Sequence, residues 1–442
     1  MKFTSQIRAA QQRPWLRPFI VVMGVSFCVR LLVVVVTSPY WEPDSLGYMG
    51  LARYIGQGNL AAGEGYRTPG YPVFLLLHDL NPNLVRITQM TLGLCITAGL
   101  YWLISRFTAS TLLASIGALL YGANVAQIFL ESTLMAETLA TALLFGAVLL
   151  LVCLNTSHSR VRWNLVALGL LAGVVPLVRP IYVFVPVVFI FPVAGRACRG
   201  GHWRRLLLYL LPAMLPVILW VGYLSATFDY VGLSTSSGFA WTNQAGAYMQ
   251  DAPDKYATIR DIYLRYVARQ HGDYHDAIWA AIPEMEAATG ESYPQLSKTV
   301  QRMSLAVLAA HPGAYVHQVG YNLVNFWKGL SVHPGWRPAW GLTITLWKLA
   351  RYLGILVNGV FLLVVSGMVL RRVRLLRVPA LPWPAAWMAA VVLITAIEQA
   401  VLASAEGQRY GMPTQPFVWV VAMLALGAWV TGRRRQQSSP TE

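Results

Sequence analysis

The chain has 442 residues, 56% of them hydrophobic and only 12% charged, so acyl chains rather than water must solvate much of its surface and a soluble globular domain is excluded. The formal net charge of +16 could suggest nucleic acid. Its basic residues, however, fall in short segments between alternate apolar stretches, the segments that the positive-inside rule keeps in the cytoplasm, which argues against a nucleic-acid partner.

Apolar windows of the ~17–25 residues needed to cross ~30 Å of hydrocarbon predict about ten spans, near 18–38, 84–104, 110–126, 132–153, 163–178, 180–195, 206–226, 349–370, 383–403 and 412–430. The basic clusters are Lys2, Arg8, Arg13 and Arg17, then Arg106, Arg160 and Arg162, Arg196, Arg199, Arg204 and Arg205, Arg371, Arg372, Arg374 and Arg377, and finally Arg433 to Arg435. They place both termini in the cytoplasm. Apart from Glu442, every acid falls outside or within about two turns of the outer edge. Cys28, Cys95, Cys153 and Cys198 lie in spans or on the cytoplasmic side, where no disulfide is expected. No small-residue cleavage site precedes Tyr40, so the first apolar stretch is read as a retained helix and not a signal peptide. The resulting organisation is a transmembrane module over 1–226 with a first external loop at 39–83, an external helical subdomain at 227–348, and C-terminal spans with a basic tail at 349–442.

In the first loop, Asp44 sits in Tyr40-Trp41-Glu42-Pro43-Asp44-Ser45-Leu46-Gly47-Tyr48, directly after the first span. The pattern predicts a surface helix from Ser45 to Ile55 with Asp44 as its N-cap, and a cap can also be a base. After a Gly-rich turn, Thr68-Pro69 starts a second short apolar helix, Pro being harmless at a first helical turn. In the second external segment, Ile259, Ile262, Tyr263, Tyr266 and Val267 share one face of a helix over Tyr256–Gln270, and Pro294–Ala310 reads similarly. Gly313–Trp327 is a membrane-apposed helix.

Two further acids, Glu131 and Glu137, lie at the outer end of the fourth span. Six residues at 3.6 per turn differ by about 240°, so both cannot point into one narrow site. Glu137 is the deeper, where an unpaired carboxylate is costly and normally marks a cavity; Glu131 can be solvated instead. Arg67, Arg179 and Arg409 all emerge on the outer side, either as ligands for phosphate oxygens or as interfacial groups on lipid head groups. Arg30, inside the first span, is expected to pair within the bundle or to snorkel. His311, His317, Lys328 and His333 surround the membrane-apposed helix at spacings that match no zinc motif. Neither a phosphate-cradling Gly loop nor a nucleophilic Ser signature is present.

These residues resemble a known family. Pro43-Asp44-Ser45 with Tyr48, Arg67-Thr68-Pro69-Gly70-Tyr71-Pro72, Glu137, Arg179-Pro180, His311-Pro312-Gly313-Ala314-Tyr315, and Arg409-Tyr410 with Pro413 follow the order and sidedness of the GT-C superfamily of polytopic glycosyltransferases. The similarity is to bacterial members of the glycosyltransferase 39 type, akin to protein O-mannosyltransferases and the lipid A aminoarabinose transferase. The resemblance implies an all-α transmembrane bundle with amphipathic external helices in a bacterial inner membrane, its active site on the periplasmic side. It implies a polyprenyl-phosphate sugar as donor and an envelope glycolipid, polysaccharide or secreted protein as acceptor. Asp44 would be the general base, with Glu137 or Glu131 assisting. Arg67, Arg179, Arg409 and Lys328 would hold the donor phosphate, and Glu42, Tyr48, Tyr71, His311 and Tyr410 would line the cavity. Glu42-Pro43-Asp44 stands where some relatives carry two adjacent acids, so a divalent cation (Mg or Mn) on Asp44 and Glu137 stays open. A transporter or flippase for a lipid-linked sugar, a ligase of a preassembled glycan, and a non-catalytic assembly or scaffold protein are the alternatives.

Overall fold

The apolar windows fold as helices. A computed structural model describes residues 15–154, 161–197, 203–331, 341–372, 374, 380–402 and 407–437. Lys2, Arg8, Arg13, Arg160, Arg199, Arg377, Cys198 and His333 lie outside the described residues. Seven helices are long and apolar enough to cross a membrane: Leu16–Val36, Pro82–Thr108, Val161–Val178, Trp203–Phe228, Gly341–Arg372, Trp383–Leu402 and Gln408–Val430. The window at 110–126 becomes a broken span, Thr111–Gly122 followed by Val125–Ser132 and bent by 49°. The windows at 132–153 and 180–195 become the shorter apolar helices Glu137–Cys153 and Pro180–Gly195. The chain is thus an all-α, multi-pass membrane protein. Among the described residues there is no strand, only an isolated bridge between Tyr40 and Thr133.

The break in the third apolar segment has a local cause. Asn124 caps the new helix, its side chain accepting from the N–H groups of Ala126 and Gln127 at 3.0 and 3.2 Å, so the old helix ends at Gly122 with a free carbonyl. Arg30 takes that carbonyl, Nη1 donating at 2.7 Å, and binds Glu131 with both remaining edges, Nε to Oε2 at 2.7 Å and Nη2 to Oε1 at 2.8 Å. Both side chains are buried. Arg30 therefore pairs within the bundle as its place in the first span suggests, and its partner is Glu131. Room for this carboxylate comes from Gly93, where a Cβ would stand 2.1 Å from Glu131 Oε1.

The same region holds the first loop in place. Tyr40 donates to the Ser132 carbonyl at 3.0 Å and accepts from the Leu134 N–H at 3.1 Å. Gln89, on the helix Pro82–Thr108, donates to the carbonyls of Glu131 and Thr133 at 3.0 and 2.7 Å and accepts from the Tyr71 hydroxyl at 2.9 Å. The first-loop helix runs Pro43–Gly56 with Glu42 at its N-cap position, which corrects the assignment of that role to Asp44. Pro43 has no N–H to leave unpaired at a first turn, so the helix starts two residues earlier than Ser45, and Ser45 Oγ accepts from the Glu42 N–H at 2.9 Å. The next helix, Gly70–Leu76, sits against the end of Val161–Val178 so closely that a Cβ at Gly70 would lie 2.6 Å from the Leu177 carbonyl oxygen.

In the long loop, the helices Ala257–Arg269 and Tyr293–Ala310 form where periodicity places them, a further helix, Tyr274–Thr289, lies between them, and the three share a core of their own, including Phe239, Ile262, Tyr263, Ile278 and Met303. This unit is tied to the first loop just ahead of Arg67. Thr235 donates to the carbonyls of Gly65 and Glu64, and Ser234 to that of Tyr66, at 2.8–3.0 Å. The helix expected over Gly313–Trp327 runs Pro312–Phe326.

Truncating one member of the buried pair, as in Glu131→Leu, strands the Arg30 charge and is expected to cost about 3–5 kcal/mol. The double variant Arg30→Met/Glu131→Leu should recover most of that loss in thermal unfolding of the detergent-solubilised protein; additive losses would show that the pair is not a coupled unit.

Candidate functional site

Four helix ends meet to form one charged cluster. Asp44 comes from the first turn of Pro43–Gly56, and Glu137 is the first residue of Glu137–Cys153. Arg179 follows directly on Val161–Val178, and Arg409 lies on the short helix Gly407–Gly411 that leads into the last span. Arg67 joins them from the turn before Gly70. Asp44 Oδ1 accepts from Arg67 Nη2 at 2.5 Å, and Oδ2 accepts from Arg409 Nη2 at 2.9 Å. Arg409 also donates from Nε to Glu137 Oε1 at 2.5 Å, and the same carboxylate pairs with Arg179 Nη1. One guanidinium therefore bridges two carboxylates.

The cluster has a rim and a floor. Side-chain exposure falls from 34% at Asp44 and 28% at Arg67, through 13% at Arg409, to 6% at Arg179 and 1% at Glu137. Aromatic rings wall both levels. The Arg67 guanidinium lies 4.7 Å from the Tyr48 ring centre and Arg179 lies 4.6 Å from that of Tyr410, each a cation–π contact. Tyr48 packs edge-on against Tyr71 at 4.9 Å. Within these five charged side chains, three cations face two anions. Burial pushes the Asp44 carboxyl up, but the guanidiniums of Arg67 and Arg409 outweigh it and hold the carboxyl well below the usual carboxylate range.

The geometry sorts the sequence candidates. Asp44, Glu137, Arg67, Arg179, Arg409, Tyr48, Tyr71 and Tyr410 come together, while Glu42 stands at the N-cap of the helix that carries Asp44. Glu131 does not join them, and it is not solvated: it is sealed against Arg30. The two glutamates separate as anticipated, but by lying on two helices rather than by phase on one. His311 instead pairs with Asp251, Nε2 to Oδ2 at 2.9 Å, and stacks on Tyr248. Lys328 lies over the Tyr321 ring at 5.5 Å. Glu398 and Tyr182 were not singled out by sequence. Among the described residues the Tyr182 hydroxyl is buried without a hydrogen-bond partner, close to the charges of Arg179, Glu137 and Glu398. The available signal was an acid inside the apolar window at 383–403.

A divalent cation does not suit these residues. The Asp44 oxygens and Glu137 Oε1 are taken by guanidiniums, three positive charges would repel the ion, and hard cations need several oxygen ligands. Among the described residues no group of three or more His, Cys, Asp or Glu side chains could hold a metal.

No family model matches the sequence, and no curated protein matches it. Among solved structures, the chain is similar to the crystal structure of ArnT from Cupriavidus metallidurans bound to undecaprenyl phosphate, at 12% identity and a TM-score of 0.36, over 96% of this chain and 80% of that one.

Floor and rim should respond differently to neutralisation. Glu137→Gln leaves the buried Arg179 charge without its counter-ion, at an expected cost of about 3–5 kcal/mol, whereas Asp44→Asn at the partly open rim should cost about 1 kcal/mol or less. Thermal unfolding in detergent distinguishes them, and equal losses would mean the floor is as hydrated as the rim.

Proposed function

We propose that the chain is a membrane glycosyltransferase that moves a sugar from a polyprenyl-phosphate donor to an acceptor hydroxyl, with Asp44 as general base. The observation that carries this reading is the partly open meeting of one carboxylate with two guanidiniums at Asp44, Arg67 and Arg409, built where helices begin and end. An anionic head group can reach it while an apolar tail stays beside the spans.

In this reading, the acceptor hydroxyl gives its proton to an Asp44 oxygen as its own oxygen bonds to the anomeric carbon. The bond from that carbon to the phosphate oxygen breaks, its electron pair leaves with the lipid phosphate, and the configuration inverts. The surplus positive charge stabilises the leaving phosphate, most directly through Arg67 and Arg409 and from below through Arg179. Tyr48, Tyr71 and Tyr410 supply walls for a sugar ring. The donor stores its energy in the phosphate ester, which suits a chain without a nucleotide-binding loop. In the proposed topology both termini are cytoplasmic, and the site opens to the periplasm of a bacterial inner membrane, where glycolipid, polysaccharide and secreted-protein acceptors are found. The sequence shows no internal repeat of the kind on which many transporters are built, so the flippase reading is the less favoured.

The test is to supply purified protein with a panel of polyprenyl-phosphate sugars and to follow release of free polyprenyl phosphate. Asp44→Asn should lower turnover by about 10²–10⁴ while the protein stays folded, and a chelator should leave the wild-type rate unchanged. Folded protein that binds these donors yet neither transfers nor hydrolyses any of them would overturn the reading.

A further inference from the structure

Deepening that reading, and resting on its phosphate-bearing donor, we infer that the donor phosphate displaces Asp44 from Arg67 and Arg409, so that the base is released only in a donor-loaded site and donor must bind before acceptor is deprotonated. Four features lead there.

Both Asp44 oxygens are engaged, one by each guanidinium. A carboxylate so held is a poor proton acceptor, and one that the same two cations would not share easily with a phosphate. Competition between the two anions is built into the site.

The two arginines are also mounted so that they can change partner without losing position. Arg409 keeps its Nε on Glu137, which Arg179 holds from beneath, so releasing Asp44 from Nη2 leaves the side chain anchored. Arg67 rests on the Tyr48 ring, and the backbone just ahead of it is pinned by Ser234 and Ser236, which both donate to the Tyr66 carbonyl.

Accessibility restricts the exchange to the rim. Asp44 and Arg67 are reachable from outside and the Glu137–Arg179 pair is not, so an incoming anion meets the contacts that can be traded and spares those that cannot.

The pairing at Arg67 is incomplete as well. Among the described residues its Nε is buried with no hydrogen-bond partner, because the contact with Asp44 uses Nη2 alone. A phosphate offers several oxygens and can bind a guanidinium through two parallel bonds, satisfying a donor that Asp44 leaves idle.

The experiment uses the full-length protein in detergent and a polyprenyl phosphate carrying no sugar, which separates binding from turnover. Asp44→Asn should bind this probe at least about tenfold tighter than wild type, because the competing anion is gone, and Arg67→Gln should weaken it in either background. Carbodiimide labelling of wild type, read by mass spectrometry, gives an independent measure: saturating probe should speed modification of Asp44. Unchanged or weaker binding by a folded Asp44→Asn variant, or protection of Asp44 by the probe, would overturn the exchange. Wild type that binds no polyprenyl phosphate at all would remove the donor assignment itself.

Discussion

Arg409 holds the site together. A single planar guanidinium reaches two carboxylates that arrive on different helices, and only a fork of fixed geometry can do so with separate nitrogens. A lysine would offer one compact charge and could not span the same two acids. Everything else in the cluster is arranged around that double contact. The bridge from Tyr40 to the turn after Ser132 sets the height of Asp44 relative to Glu137. Gln89 fixes that turn from the neighbouring span, and the close seat of Gly70 on Val161–Val178 brings Arg67 beside Arg179's helix.

The second ion pair in the bundle makes an instructive contrast. Arg30 and Glu131 satisfy each other through two parallel bonds, with the Gly122 and Ser26 carbonyls taking the third nitrogen of the guanidinium. Nothing from outside reaches them. The Asp44 cluster has similar ingredients but spreads them over a gradient of exposure, with more cations than anions. The same chemistry thus gives a sealed ion pair in one place and a partly open cluster in the other, and the difference lies in access and charge balance rather than in residue type.

Much of this was legible in the chain. Ten apolar windows marked ten helical segments, counting the broken span once, and the amphipathic pattern of Ile259, Ile262 and Tyr263 located a helix with its buried face. Asp44, Glu137 and the three arginines stood out because charge is rare in such a sequence. What the sequence hid was partnership. Glu137 and Arg409 are 272 positions apart and Asp44 and Arg409 are 365 apart, and no local spacing encodes a contact at that range. Treating Glu131 and Glu137 as neighbours on one helix failed for the opposite reason. The segment between them is short, yet it breaks at Thr133, and the backbone freed there is used to hold the first loop. The start of the Asp44 helix was misplaced by two residues because Pro43 was taken as flank rather than as first turn.

The order in which a ribosome delivers these groups follows from the same separations. Asp44 and Arg67 enter first, Glu137 and Arg179 later, and Arg409 arrives only with the last membrane helix. Until then Asp44 and Glu137 lack the guanidinium that joins them. Closure of the full cluster is thereby postponed until the segment carrying Arg409 has been made, 365 positions after Asp44.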